Sequence, residues 1–339
     1  MLSTLYAAIA RRRREHYAAR PDLRRRLRRP VISVGNLAVG GRGKTPTVAC
    51  LARELLAMGE RPAILSRGYA RRRAEDGVVV VRDAEGMRAD LDRSGDEPLM
   101  LARQLPGVAV LASSDRFLAG RLAEHHLGAT VHVLDDGFQH LQLDRDIDLV
   151  IVAGEDLDAG ARTLPGGRLR EPPDTLLAAD AILAADERVF ALGPRPRHAP
   201  FEIFRMRRTM GIVQPAAAAD DGGIGAVPSL AMAGIARPEE FFDGLRAAGQ
   251  NIVRTRAFRD HHRYSRGELE RVVRDARAAG AVRVLTTEKD YVRLLPFRPF
   301  PMPLAWVPLT MEPDPLPEFR RWLSGALAGA RDLWPDPVD

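Results

Sequence analysis

Cysteine, lysine and long apolar runs are scarce in this chain of 339 residues, which has one cysteine and 6% aromatic residues. The single cysteine, Cys50, excludes an internal disulfide, and its apolar neighbours indicate a small buried side chain. No apolar run is long enough to span a bilayer, and the first one precedes its charges, which is the wrong order for a secretory signal. The composition predicts a globular enzyme of one or two domains.

Only two of the 51 basic residues are lysines, Lys44 and Lys289. Because arginine serves as the cation elsewhere, each lysine marks a position where a compact ammonium group is needed and a planar guanidinium would not fit. Lys44 lies in a glycine-rich loop. Lys289 follows a predicted strand, a typical position for ligand contacts, and it equally fits the start of a helix capped by Thr286 or Thr287.

The positive charge is concentrated at the beginning of the chain. Residues 1–29 contain ten arginines and two acidic residues, whereas the net charge of the whole chain is only +6. The remainder is therefore slightly acidic, and we expect no nucleic-acid surface on it. Leu2, Leu5, Tyr6 and Ile9 have helical spacing, so residues 1–29 are predicted to form a basic amphipathic helix that binds an anionic membrane surface. A solvated basic helix or an RNA-binding arm is the alternative.

Short β-rich runs alternate with helical stretches from residue 30 onward. Strands are predicted at 31–34, 63–65, 108–111, 131–134, 148–152 and 181–183, and later at 230–233, 251–255, 282–285 and 304–307. This rhythm indicates an α/β fold with a mostly parallel sheet flanked by helices. We predict a nucleotide-binding core over 30–193, a loop-rich linker over 194–227 and a smaller C-terminal α/β part over 228–339 that contributes to the active-site cleft.

A glycine-rich loop lies between the first predicted strand and the first predicted helix of this core. In such a loop, backbone N–H groups point at a polyphosphate, Lys44 reaches the phosphates and Thr45 ligates magnesium. Ala38 replaces the first glycine of the strict P-loop motif, and the doubled-glycine form is similar to the SIMIBI branch of P-loop proteins. A chance glycine turn is the less favoured alternative. The predicted nucleotide-binding residues are Val39, Gly40, Gly41, Arg42, Gly43, Lys44, Thr45 and Pro46.

Two adjacent aspartates, Asp135 and Asp136, directly follow the predicted strand at 131–134. Because they come at the carboxyl end of a parallel strand, we expect them to face the glycine-rich loop. Carboxylates at this position hold magnesium or its water shell in nucleotide sites. The sequence therefore predicts an Mg²⁺ site here, without showing which aspartate contacts the ion.

Several separate motifs match one family in order. They are the loop at 35–46 (GNLAVGGRGKTP), SRGY at 66–69, GDEP at 95–98, DDGFQH at 135–140, LPGGRLREP at 164–172, DHH at 260–262 and TTEKD at 286–290. Together they span most of the chain and resemble the tetraacyldisaccharide 4'-kinase (lipid A 4'-kinase) family. Arg42 departs from the small hydroxyl residue expected at that position, and the direction of its side chain is left open.

The resemblance implies transfer of the γ-phosphoryl group of ATP to the 4'-hydroxyl of a tetraacyldisaccharide 1-phosphate. It also implies a membrane-associated N-terminal helix at the cytoplasmic face of the bacterial inner membrane, and no obligatory protein partner is expected. Arg170 and Asn36 are assigned to the lipid disaccharide substrate. Glu171 joins Thr45, Asp135 and Asp136 as a metal ligand, although Arg170 and Glu171 could equally form surface salt bridges.

Asp96 is the candidate base for the hydroxyl proton, and His261 is its candidate partner. Without the resemblance, Asp96 reads more simply as the N-cap of a helix with Pro98 in its first turn. His262 lies beside His261, which leaves the choice of imidazole ring open. Two other functions remain as alternatives: a SIMIBI-type switch NTPase that acts through a partner protein, and a membrane-bound nucleotide sensor without catalysis.

Overall fold

The computed structural model describes residues 2–69, 71, 77–191, 201–216 and 225–333. Two sheets with flanking helices form the molecule, and this confirms the predicted mostly parallel α/β fold. In the described part of the chain, no helix combines the length and apolar character that crossing a membrane requires.

The larger sheet has ten strands, in the order β15-β9-β8-β7-β1-β6-β2-β5-β3-β4. These strands are β1 (Val31–Asn36), β2 (Pro62–Ser66), β3 (Val79–Asp83), β4 (Gly86–Met87), β5 (Ala109–Ala112), β6 (Val131–Asp135), β7 (Ile147–Val152), β8 (Ala181–Ala184), β9 (Glu202–Met210) and β15 (Leu309–Asp314). The central strands pair in parallel and are buried on both faces, which explains their continuous apolar sequences. The six strands predicted for the core all lie in this sheet.

The smaller sheet has five strands, in the order β10-β14-β13-β11-β12. They are β10 (Gln214–Pro215), β11 (Ser229–Ala233), β12 (Ile252–Ala257), β13 (Arg283–Thr287) and β14 (Leu304–Val307). All are parallel except β10. The four strands predicted after residue 227 are confirmed.

Ten α-helices flank the sheets in the described ranges. They are α1 (Leu2–Ala18), α2 (Lys44–Ala57), α3 (Leu91–Ser94), α4 (Asp96–Gln104), α5 (Arg116–His126), α6 (Arg188–Ala191), α7 (Pro238–Ala247), α8 (Arg266–Ala278), α9 (Glu288–Leu294) and α10 (Leu316–Leu333). Cys50 is buried on α2, as predicted, and burial raises the pKa of its thiol to about 12.

The stretch at 194–227 is not only a loop-rich linker, because it contains β9, which belongs to the larger sheet. The chain also returns to that sheet after the smaller one: β15 pairs antiparallel with β9, and α10 packs on the core of the larger sheet through Phe319 and Leu323. Among the β9 side chains, only Met206 is buried, so the strand lacks an apolar run. This is why the sequence did not reveal it. Residues 192–200 and 217–224 of the stretch lie outside the described residues.

Helix α1 lies against the larger sheet rather than extending away from the protein. Arg14 forms an ion pair of 2.7 Å with Glu171 and stacks over the ring of Phe138 at 4.2 Å. The carbonyl oxygen of Ser3 accepts a hydrogen bond of 2.6 Å from Thr163. The N-terminal helix predicted over 1–29 ends at Ala18, ahead of Pro21, and is fixed at both ends of its inner face.

Gly35 is a position where the fold tolerates no side chain. A Cβ atom there would lie 2.4 Å from the Cβ and 2.9 Å from the backbone nitrogen of Phe138. Because backbone atoms cannot move aside cheaply, we expect Gly35→Ala to destabilise the protein by about 1–3 kcal/mol. Thermal unfolding should show a Tm lower by roughly 3–10 °C.

Gly325→Ala is the matched control. Gly325 lies in α10 with open space around its Cβ position, so alanine should raise helix stability by about 0.5–1 kcal/mol. Equal Tm values for the two variants would contradict this account of the packing.

Candidate active site

The phosphate loop connects β1 to α2, as predicted. Gly40 and Gly43 have φ angles of 102° and 81°, which side chains rarely tolerate and which let the loop curl before the helix. Lys44 begins α2, and its Nζ lies 3.1 Å from Asn36 Oδ1 and 3.5 Å from the carboxylate of Asp136. The loop therefore brings the lysine and the helix N-terminus to the carboxyl edge of the sheet, an arrangement suited to a polyphosphate.

The side chain of Arg42 points into the protein. It is 7% exposed, forms an ion pair with Glu155 and donates to Asp156 Oδ1 at 2.5 Å. Glu155 also pairs with Arg237, and hydrogen bonds from Arg237 and Arg42 lower its pKa to about 2. This settles the direction that the sequence left open: the guanidinium anchors the loop to the end of β7, and only the backbone of Arg42 stays available for a nucleotide.

The two aspartates at the end of β6 have opposite electrostatic environments. Asp135 is buried, and burial together with the negative charges of Glu97 and Asp136 raises its pKa to about 7. Burial alone would also raise the pKa of Asp136, but Lys44 and Arg170 outweigh that effect and lower it to about 2. Arg170 reaches both oxygens of Asp136, at 2.7 and 2.8 Å. Asp136 is thus paired with two cations, whereas Asp135 forms no ion pair with the described residues and keeps a raised pKa.

The surroundings of Asp135 indicate whether the site suits magnesium. The one side-chain hydrogen bond recorded for its carboxylate comes from Ser66 Oγ at 3.3 Å. A buried carboxylate without a positive partner is costly, and a hard cation with oxygen ligands removes that cost. Within the described residues, no group of three or more His, Cys, Asp or Glu side chains is arranged to hold a metal by itself. An ion here would take its remaining ligands from Thr45, phosphate oxygens or water.

Glu171 has other partners in this structure. Besides the ion pair with Arg14, it accepts a hydrogen bond of 3.2 Å from Gln139, which also donates to the backbone oxygen of Asn36. Glu171 therefore links α1 to the end of β1. Its role as a metal ligand stays a prediction.

Asp96 and His261 come together from different parts of the chain. Asp96 begins α4 beside the larger sheet, and His261 follows β12 of the smaller sheet; His261 Nδ1 lies 3.0 Å from Asp96 Oδ2. Arg293 of α9 donates to the same oxygen from Nε at 2.8 Å and from Nη2 at 2.5 Å. Burial alone would raise the pKa of Asp96, but His261, Lys289 and Arg293 outweigh it and lower the pKa. The carboxylate of Asp96 is therefore ionised at neutral pH.

The structure also shows which histidine contacts Asp96. His262 points away from Asp96, toward Glu268 at 3.2 Å, and stacks on Phe258. On the other side of His261, Nε2 lies 3.1 Å from Lys289 Nζ. Lys289 meets both sequence expectations, because it contacts the site and follows a helix start capped by the Thr287 side chain.

Two predicted site residues have strained backbones. Of the non-glycine residues in the described ranges, Asp136 and His261 have left-handed φ angles, 58° and 55°. This conformation costs about 1 kcal/mol or more and persists only where surrounding contacts impose it. Both residues carry side chains that meet partners from another part of the chain, so the strain positions functional groups.

Sequence reasoning missed several charged residues near the site. Arg293 has one weak sequence signal, its i,i+3 spacing from Asp290, with which it pairs at 2.8 Å. Arg116 lies near Asp135 and Asp136, and burial and the positive charges of Arg67 and Arg71 lower its pKa. Arg67 belongs to the SRGY motif at 66–69, but in a chain with 49 arginines nothing in the sequence distinguished Arg71 or Arg116.

Comparisons with known proteins agree over the length of the chain. A family model described as tetraacyldisaccharide-1-P 4'-kinase matches residues 1–328. The tetraacyldisaccharide 4'-kinase of Geobacter sulfurreducens is 39% identical over 322 residues, which cover 93% of this chain and 89% of the relative. That of Anaeromyxobacter dehalogenans strain 2CP-C is 43% identical over 280 residues, which cover 79% and 73%. A crystal structure of apo-form LpxK from Aquifex aeolicus in complex with ATP aligns with a TM-score of 0.76 at 29% identity, covering 96% of this chain and 97% of that chain.

The raised pKa of Asp135 predicts a pH-dependent cost of folding. The pKa of this carboxyl is about 7 in the folded protein and about 3.8 in the unfolded chain. The free energy of unfolding therefore falls as pH rises from about 4 to 7. We expect Asp135→Asn, without magnesium, to be more stable than wild type by about 1–3 kcal/mol at pH 8 and nearly equal at pH 4. Urea unfolding at both pH values measures this, and a pH-independent difference would contradict it.

Proposed function

This chain belongs to the tetraacyldisaccharide-1-P 4'-kinase family, as its motifs predicted, and on that premise we propose that it transfers the γ-phosphoryl group of ATP to the 4'-hydroxyl of a tetraacyldisaccharide 1-phosphate. The observation that supports the proposal is the 3.0 Å contact between Asp96, the candidate proton acceptor, and His261, its candidate partner. Glu97, the neighbour of Asp96, is close enough to Asp135 to raise the pKa of that aspartate. A switch NTPase, which needs no such acceptor, is not favoured.

The nucleotide end of the site is formed by the loop at 39–46. Its backbone N–H groups and the N-terminus of α2 would bind the phosphates, and Lys44 would reach the transferred group. Thr45, Asp135 and Asp136 would hold magnesium, which neutralises phosphate charge when bound. Arg170 and Lys44 both lie beside Asn36 and Asp136, so two cations face the position where negative charge accumulates. Glu171 would have to leave Arg14 to bind a cation.

The acceptor end of the site is formed by Asp96. Attack on the γ-phosphorus requires the 4'-hydroxyl to lose its proton, and a positioned carboxylate can accept it. Asp96 Oδ2 has three donors within 3.0 Å, whereas among the described residues Oδ1 accepts only the backbone N–H of Glu97. Oδ1 is therefore the oxygen that keeps a free lone pair for the hydroxyl. Arg170 and Asn36 are proposed to help position the disaccharide.

Helix α1 is proposed to bring the enzyme to its lipid substrate at the cytoplasmic face of the inner membrane. Its outer face exposes Leu2, Leu5 and Ile9 by 68%, 59% and 59%. The same helical spacing places Arg12 next on this face. Apolar side chains near the start of α1 are therefore followed by positive charge, which suits an anionic headgroup boundary. The inner face is fixed to the protein by Arg14, and membrane contact therefore needs no detachment of the helix.

Lys44→Ala should remove kinase activity while leaving the fold intact. We expect transfer of label from γ-labelled ATP to a tetraacyldisaccharide 1-phosphate in detergent micelles to fall at least 100-fold, because the lysine contacts the transferred group. Arg42→Ala is the comparison variant. Because the Arg42 side chain faces the protein interior, this change should lower thermal stability more than Lys44→Ala does. Unchanged transfer by Lys44→Ala would contradict the proposed site.

The membrane role of α1 is tested by replacing its outer apolar side chains together. The variant Leu2→Ser, Leu5→Ser and Ile9→Ser should partition at least tenfold less onto vesicles of mixed zwitterionic and anionic phospholipid, since each exposed side chain loses apolar burial in the lipid. Ile212→Ser is the control, because Ile212 is 76% exposed elsewhere on the surface. Equal flotation of the triple variant and wild type would exclude this face as the anchor.

A further inference from the structure

We propose that Lys289 fixes the tautomer of His261, so that the imidazole donates to Asp96 and does not itself compete for the substrate proton. This inference rests on the proposed function and adds a positioning residue to it. The observation is the pair of contacts on one ring: Nδ1 lies 3.0 Å from Asp96 Oδ2, and Nε2 lies 3.1 Å from Lys289 Nζ.

The two neighbours of His261 require the same tautomer. An ionised carboxylate only accepts hydrogen bonds, so Nδ1 must carry the hydrogen that it shares with Asp96. An ammonium group only donates, so Nε2 must present its lone pair to Lys289. The neutral Nδ1–H imidazole satisfies both contacts, whereas a proton added at Nε2 would face the ammonium charge at close range. The ring is therefore held as a donor to Asp96.

Lys289 is fixed as a charged group by its own partners. Its Nζ lies 2.9 Å from Glu97 Oε1 and 3.7 Å from Asp260, and the side chain is 16% exposed. Burial alone would lower the pKa of Lys289, but the negative charges of Glu97 and Asp96 outweigh it and raise the pKa. The charged or titratable groups that face His261 are Asp96 of α4, Lys289 of α9, Asp260 of its own loop and, through an edge-on ring contact, Tyr69.

The helix that carries Lys289 is rigidly placed. Asp290 accepts from the backbone N–H of Gly234 at 2.9 Å and from Tyr264 at 2.9 Å, and it pairs with Arg293. These hydrogen bonds tie the first turn of α9 to Gly234, which follows β11, and to Tyr264, which lies in the loop before α8. Lys289 consequently approaches His261 from a fixed direction, as tautomer control requires.

The scarcity of lysine supports a specific need at this position. Arginine is the cation at 49 other places in the chain, yet the group beside His261 is a lysine. A guanidinium is planar and presents several donors in a wide fork, which would not fit between Glu97, Asp260 and a single ring nitrogen. A compact ammonium with three donors matches the three groups around it.

The tautomer can be read directly by ¹⁵N NMR of the histidine ring nitrogens in protein labelled at histidine, with His261→Gln identifying the signal. We expect wild type to show the Nδ1–H form at neutral pH. Because Asp96 still requires a hydrogen on Nδ1, Lys289→Met should convert at least a third of the population to imidazolium, and Arg274→Met, on the exposed face of α8, should leave the signal unchanged.

Kinetics complete the test. Lys289→Met should lower kcat roughly tenfold or more with the KM for ATP within about twofold, since the change acts on proton transfer and not on nucleotide binding. An Nε2–H signal in the wild type, or an unchanged signal in Lys289→Met, would overturn the proposal, and the wild-type result stands even if the variant fails to fold. If the wild type lacks kinase activity but shows the expected tautomers, the proposed function fails and the assignment of Lys289 survives.

Discussion

The buried ion pair between Asp96 and Arg293 joins the two sheets at the place where chemistry is proposed to occur. Asp96 and Arg293 are 5% and 6% exposed, so each charge has lost most of its water and depends on the other. Removal of one member from such a pair typically costs about 3–5 kcal/mol, because the remaining charge stays buried without a partner. His261 and Lys289 also lower the pKa of Asp96, so the pair with Arg293 is one of three contacts that keep this carboxylate ionised.

The surrounding site is built outward from that pair. His261, Lys289 and Arg293 together keep Asp96 ionised, and Lys289 occupies the far side of the imidazole. The phosphate loop places Lys44 near Asp136, and Asp135 is a buried carboxyl with a raised pKa. In the proposed reaction Asp96 would accept the proton and Lys44 would supply positive charge, which is the division that phosphoryl transfer requires.

The sequence predicted those parts of the fold that bury apolar side chains continuously. The central strands of both sheets are short apolar runs, and the phosphate loop is defined by glycines whose φ angles no other residue adopts easily. Strand β9 was not predicted because its exposed arginines obscure the alternation of apolar and polar residues that marks a strand. Strand β15 was not predicted because Pro313 and two acidic residues interrupt its apolar sequence. The edge position of β15 tolerates a proline, and β9 is its neighbour in the sheet, but only the three-dimensional structure shows where each strand lies.

The site was predictable where a residue type is chemically rare and unpredictable where it is common. Lys44 and Lys289 stand out among 49 arginines, and both lie at the cleft. Arg14, Arg42 and Arg293 are arginines like many others in the chain. The orientations of their side chains depend on carboxylates far away in sequence, which no spacing rule links to them. The contact between Asp96 and His261 spans 165 positions, so the resemblance to a family suggested it and local sequence alone favoured a helix cap.

The central claim, that Asp96 and His261 act as one unit, is tested most directly by a double-mutant cycle on kcat/KM with Asp96→Asn, His261→Gln and the combined variant. If the pair acts as a unit, the combined variant should lie within about threefold of the more damaging single variant, because the second change removes nothing further. If the two losses multiply, Asp96 and His261 act independently, and the account of a base held by its imidazole partner is wrong.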